Sequence, residues 1–176
     1  MSRKTAVRLV LIALIVGIAA FIPLPFNIST RVINSVEIAK PISAVFAYVT
    51  TPGQWPKWHP SSLKVSGATD HSLEVGERVV EDFRVAGRTG QAVWVVVDSA
   101  PPRLWVIDAT ISGRAAGPVQ YSLGEKDGNT VFYREFTYRA PNLLFVMLNA
   151  ISIRRQIQAE SEQAVQNLKR VLGAAP

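Results

Sequence analysis

Between residues 63 and 139 the chain alternates β-prone runs with turn chemistry six times, with no helical interlude. The runs span 63–68, 77–85, 89–99, 104–112, 119–125 and 130–139, and each reads as a strand. Between them stand Gly76, Ala86-Gly87, Pro101-Pro102, the stretch from Gly113 to Gly117, and Asp127-Gly128-Asn129. Asp-Gly between two alternating runs is a strong hairpin signal. Parallel neighbours would need crossovers of about a dozen residues or more, and these links are shorter. The chain is therefore committed to an antiparallel meander, and a meander has a greasy face that something must cover.

One segment suits that task. Pro141 opens a helical stretch that runs to about Leu172. In its second half Ile157, Ala164, Val165, Leu168 and Leu172 follow helical spacing, with charges between them. Its first half, NLLFVMLNAISI, is apolar nearly all round, which is more than one buried face requires. Upstream of the meander, RVINSVEI (31–38) reads as a further strand, and Pro41 opens a short helix with Val45, Phe46 and Val49 on one face. The fold class is α+β.

The N-terminus has a different texture. Residues 9–26, LVLIALIVGIAAFIPLPF, carry no charge, and Arg3, Lys4 and Arg8 precede them. A run near the short end of the 17–25 or so residues that span a bilayer predicts a transmembrane anchor over 1–26. The basic flank then places the N-terminus in the cytoplasm, with a linker at 27–30 and a domain at 31–173 on the far, periplasmic or extracytoplasmic, side. The rival reading is a cleaved signal peptide, with Ala19-Ala20 near the cut.

Composition removes several functions. The chain has no cysteine, so disulfides, thiolate zinc sites and a thiol nucleophile are excluded. Its two histidines, His59 and His71, lie in loop-like sequence twelve positions apart, and no metal site is expected. The net charge of +6 owes half its value to Arg3, Lys4 and Arg8; 16 basic residues then face 13 acidic ones without clustering, which argues against nucleic acid as a partner. The glycines are turn residues, not a phosphate loop, and no nucleophile–base–acid set can be assembled. No cofactor is expected.

The densest chemistry lies in TTPGQWPKWHP (50–60). Trp55 and Trp58, three apart, share a helical face and can plug the core; alternatively Trp58 and His59 form the lip of a cavity. His59 is a weak candidate base, because no acid stands near it in sequence. Strand alternation puts Glu81 with Val79, Phe83 and Val85, and Arg134 with Phe132, Phe136 and Tyr138. Either these charges meet inside, orienting a polar head, or they face solvent; Asp108 raises the same question.

The order of elements, the segment VEIAKPISAVFAYVTTPGQWPKWHP and the segment PNLLFVMLNAISIRRQI together resemble the START-like, or SRPBCC, superfamily, which includes polyketide cyclase/dehydrase-like and coenzyme Q-binding proteins. The local marks are Glu37-Ile38-Ala39-Lys40-Pro41 with Val45-Phe46, then Trp55 to Trp58. The resemblance implies a helix-grip fold, in which a curved antiparallel sheet wraps the long C-terminal helix around a hydrophobic cavity. It implies a ligand site drawn from Trp58, His59, Phe83, Trp94, Trp105, Phe136, Phe145, Met147 and Leu148. Three functions compete. The first is a membrane-anchored binder of a hydrophobic small molecule or lipid, partnered by the bilayer and without enzyme activity. The second is a small cyclase/dehydrase-like enzyme using His59, Glu81 or Arg134. The third is a protein-interaction module.

Overall fold

The computed structural model describes residues 3–23 and 28–174. A helix α1 (Arg3–Ala20) precedes strand β1 (Ser29–Ile38), helix α2 (Ile42–Thr50), a 3-10 turn (Pro52–Gln54) and the one-turn helix α3 (Trp55–Trp58). Six strands follow: β2 (Ser62–Gly67), β3 (Arg78–Val85), β4 (Arg88–Ala100), β5 (Leu104–Ile111), β6 (Arg114–Lys126) and β7 (Asn129–Arg139). The chain ends in α4 (Leu143–Leu148), a π-helical turn (Asn149–Ile153) and α5 (Arg154–Ala174).

All seven strands form one antiparallel sheet in the order β1-β7-β6-β5-β4-β3-β2. The tight turns make the meander, and only β1 is added from a distance, against β7. Register shifts in β2, β4 and at Ala109/Thr110 act as bulges, which bend strands and curl the sheet. Residues 114–117, expected to be turn, are already strand, and the reversal is confined to Ser112 and Gly113.

The inner face carries Val79, Ala92, Val96, Trp105, Ile107, Val119, Tyr121 and Phe132, all buried, and α5 lies over β1 against it. The predicted stripe of α5 is the buried one, with Ser161 added to it. The long helix is broken where the sequence predicted none. The π turn adds a residue to the helical repeat, so α4 and α5 do not present one continuous stripe. Leu143, Met147 and Ile151 are exposed as a result.

The expected single-pass anchor is overturned, and with it the membrane localisation. Among the described residues no helix is long and apolar enough to cross a membrane. Helix α1 spends its first turns on Arg3, Lys4 and Arg8, and only residues 9–20 of it are uncharged. At about 1.5 Å per residue, twelve residues rise about 18 Å, well short of a hydrocarbon core of about 30 Å. The helix ends at Ala20 and turns at Phe21. Residues 24–27, the tail of the apolar run and the start of the expected linker, lie outside the described residues.

Candidate functional site

A cavity of about 930 Å³ lies between the inner face of the sheet and the C-terminal helices. That volume falls in the range of small-molecule sites, roughly 300–1,000 Å³. Strands β3, β5 and β7 run the same way, so their C-terminal ends meet on one side, where the cavity opens. Arg88, Arg114 and Arg139, at two hairpin tips and the end of β7, stand at this mouth beside Pro23 and Phe145. Pro23 is held there by a bridge to Asn142. The walls are apolar: Phe83, Trp94, Ile107, Val119 and Phe136.

The deep end is polar, and α3 builds it. Pro52 and Pro56 tighten the chain into two successive turns. Trp55 and Trp58 then fall on one side, 4% and 1% exposed. Trp55 donates from Nε1 to the carbonyl of Val49 (2.9 Å) and meets Trp105 edge-on. Trp58 packs its edge against Tyr121 and Phe132, and its ring also borders the cavity. It is therefore both plug and cavity wall, and it sits at the inner end, not at the lip. His59 follows in extended backbone, its ring 5.4 Å from that of Trp58. Its Nδ1 accepts from the backbone N–H of Ser61 (3.3 Å), which leaves the proton on Nε2. Burial, and then the charge of Arg134, hold this imidazole well below its usual range, so it is neutral.

Glu81 and Arg134 both point inward, at 8% and 6% exposure, which answers the question of their strand faces. They do not form a salt bridge. Glu81 accepts from Trp94 Nε1 (2.7 Å), and burial pushes its carboxyl up against the opposing effects of that bond and of Arg134. Arg134 donates from Nη1 to Ser161 (2.8 Å), with its guanidinium 5.4 Å from the centre of the Phe136 ring. The Tyr121 phenol beside it is pushed up to about 12 by burial. Glu160, on α5, accepts from Ser61 Oγ (2.9 Å) and from the backbone of Ala86 (2.9 Å), tying α5 to the loop after α3 and to the β3–β4 turn. Three buried N–H groups at this end have no partner: Trp58 Nε1, His59 Nε2 and Arg134 Nε.

Of the residues expected to line a site, Trp58, His59, Phe83, Trp94, Phe136 and Phe145 border the cavity, as do Glu81 and Arg134. Three do not. Trp105 is fully buried in the core, stacked on Tyr121 (5.3 Å) and bonded to the carbonyl of Leu73. Met147 is 55% exposed, on the outer side of α4. Leu148 packs into the smaller apolar cluster around Tyr138 and Ile153. Asp108 lies on the outer face of β5, half-buried, accepting from the backbone of Ala109. Ser61, Glu160 and Ser161 were missed; the available signal was a small polar residue, Ser161, inside an otherwise apolar helical stripe.

No curated protein of known function matches the sequence. Solved structures do match in fold. A Mycobacterium smegmatis protein is 19% identical, with 86% of this chain and 99% of that one covered and a TM-score of 0.60. A Thermus thermophilus protein is 13% identical, with 84% and 100% covered and a TM-score of 0.65. A polyketide-cyclase-like protein from Corynebacterium glutamicum is 21% identical, with 85% and 94% covered and a TM-score of 0.53. The sequence profile of one family, described as polyketide cyclase / dehydrase and lipid transport, matches residues 29–173. The curved sheet, the gripped helix, the cavity between them and that match agree: this chain belongs to the polyketide cyclase/dehydrase and lipid transport family, within the START-like superfamily.

Proposed function

We propose that this chain binds a hydrophobic small molecule, up to lipid size, in the cavity between sheet and C-terminal helices, and acts as a binder rather than a catalyst. The observation that carries this reading is the cavity itself: about 930 Å³, walled by aromatic and aliphatic side chains and ending in a few polar groups. Such a lining contributes binding through apolar burial, while the polar groups fix orientation. The enzyme reading has less support. Nδ1 of His59 faces a backbone N–H, so no carboxylate orients the ring as a base. The interaction-module reading predicts a filled interior, which this is not.

Native mass spectrometry of the purified protein tests the proposal. A non-covalent adduct, released on denaturation and identified from the extract, is the expected result. A bare protein mass, together with failure to enhance a naphthalene-sulfonate fluorophore, would sink it.

A further inference from the structure

The three free N–H groups at the deep end say more about the ligand than the volume does. Trp58 Nε1, His59 Nε2 and Arg134 Nε are buried, belong to residues that line the cavity, and have no hydrogen-bond partner. They belong to one neighbourhood. The rings of Trp58 and His59 are 5.4 Å apart, Arg134 acts electrostatically on His59, and Tyr121 adjoins both Trp58 and Arg134. All three are donors. Buried polar groups in native proteins are paired with protein, ordered water or a ligand, and those open at a cavity wall are where a ligand can complete them. The two carboxylates nearby are already engaged: Glu81 by Trp94, and Glu160 by Ser61 and Ala86.

Three neighbouring donors choose among ligand oxygens. A ketone or ester carbonyl offers two lone pairs, whereas a carboxylate offers about four acceptor sites on two oxygens. Charge selects the same group. The cavity is lined by four arginines (Arg88, Arg114, Arg134, Arg139) against two glutamates, and His59 is neutral. Three of those arginines stand at the mouth, where their field draws an anion inward. Arg134 then supplies the buried counter-charge without which a carboxylate would not leave water.

Resting on the cavity-binding reading above, we propose that the ligand is an apolar carboxylic acid, its carboxylate held by the free N–H groups of Trp58, His59 and Arg134 and its hydrocarbon body lying between Phe83, Trp94 and Phe136. This assigns Trp58 and Arg134 a role in recognition that is separable from packing.

Titration calorimetry on the full chain tests it, with decanoic and 2-naphthoic acids as probes beside their methyl esters. At least one acid is expected to bind about tenfold or more tightly than its ester, since the ester loses both the charge and an acceptor oxygen. Trp58→Phe keeps the ring contacts and removes one N–H; Arg134→Met keeps the stem and removes the charge. Each is expected to weaken the acid by about fivefold or more while changing the ester little. Thermal melts check that both variants fold, and the acid–ester comparison needs no variant at all. Equal binding of acid and ester by the wild type, or equal losses for both in the variants, would overturn the carboxylate assignment while leaving the cavity reading standing. If neither acids nor esters bind, both fall.

Discussion

His59 keeps its charge off because it is buried beside a guanidinium, and that has a cost at low pH. Its folded pKa lies well below the unfolded value, so the stability tied to its neutral form is complete above about pH 6.5. As pH falls below that value the unfolded chain takes up a proton that the folded one refuses, until the folded pKa is reached. The loss approaches about 1.4 kcal/mol per pH unit. His59→Gln removes it. Melts between pH 7.5 and 5 should therefore show the wild type losing stability faster than the variant. His71, an exposed histidine raised by hydrogen bonds to Asp70 and Glu77, titrates with the opposite sign, as does the raised carboxyl of Glu81. Both do so in either protein and drop out of the difference. Parallel curves would mean that the imidazole is not held neutral. Some of this site was readable in the sequence: a histidine beside two tryptophans in a proline-bound turn, and two charges in apolar strand faces. Trp105 and Met147 misled because a tryptophan suits a core as well as a cavity wall, and only the helix phase decides where a methionine points.

Where β6 crosses β7, the sheet relies on a missing side chain. Gly117 has φ +128°, and a Cβ there would stand 2.0 Å from the carbonyl oxygen of Thr137. Gly117→Ala is expected to destabilise by about 3 kcal/mol or more, from backbone strain and the forced separation of two strands. Gly124→Ala in the same strand meets nothing within 4 Å and should change stability little. Chemical denaturation of the pair measures this directly; equal midpoints would contradict it. Gly117 also explains why the start of β6 escaped the sequence reading. Glycines at 113 and 117 look like one long turn, yet only the first lies in it, and the second is a strand position demanded by close approach. Strand existence was otherwise plain, because alternation and turn residues are local signals. The π turn left no such mark, since NAISI contains no proline or glycine to announce it.

Among the described residues, the two buried clusters begin at Val32 or later. Deleting residues 1–28 is expected to preserve the β-type circular dichroism and to shift Tm by no more than about 3 °C. A collapse of either signal would show that α1 and its contact with α4 are structural. The order of the strands also has a temporal side. Strands β2 to β7 each find a partner next door, but Ser29 pairs with Arg139 and Ile38 with Thr130, from opposite ends of the chain. Closing so long a loop costs entropy that no local contact repays. Of the strands, a growing polypeptide emits β1 first and its partner β7 last, and α5, which lies over β1, later still. The first strand to leave the ribosome thus waits longest for its place, and until the two strands meet, it and, once made, the open edge of β7 are the surfaces most exposed to pairing with a neighbouring chain.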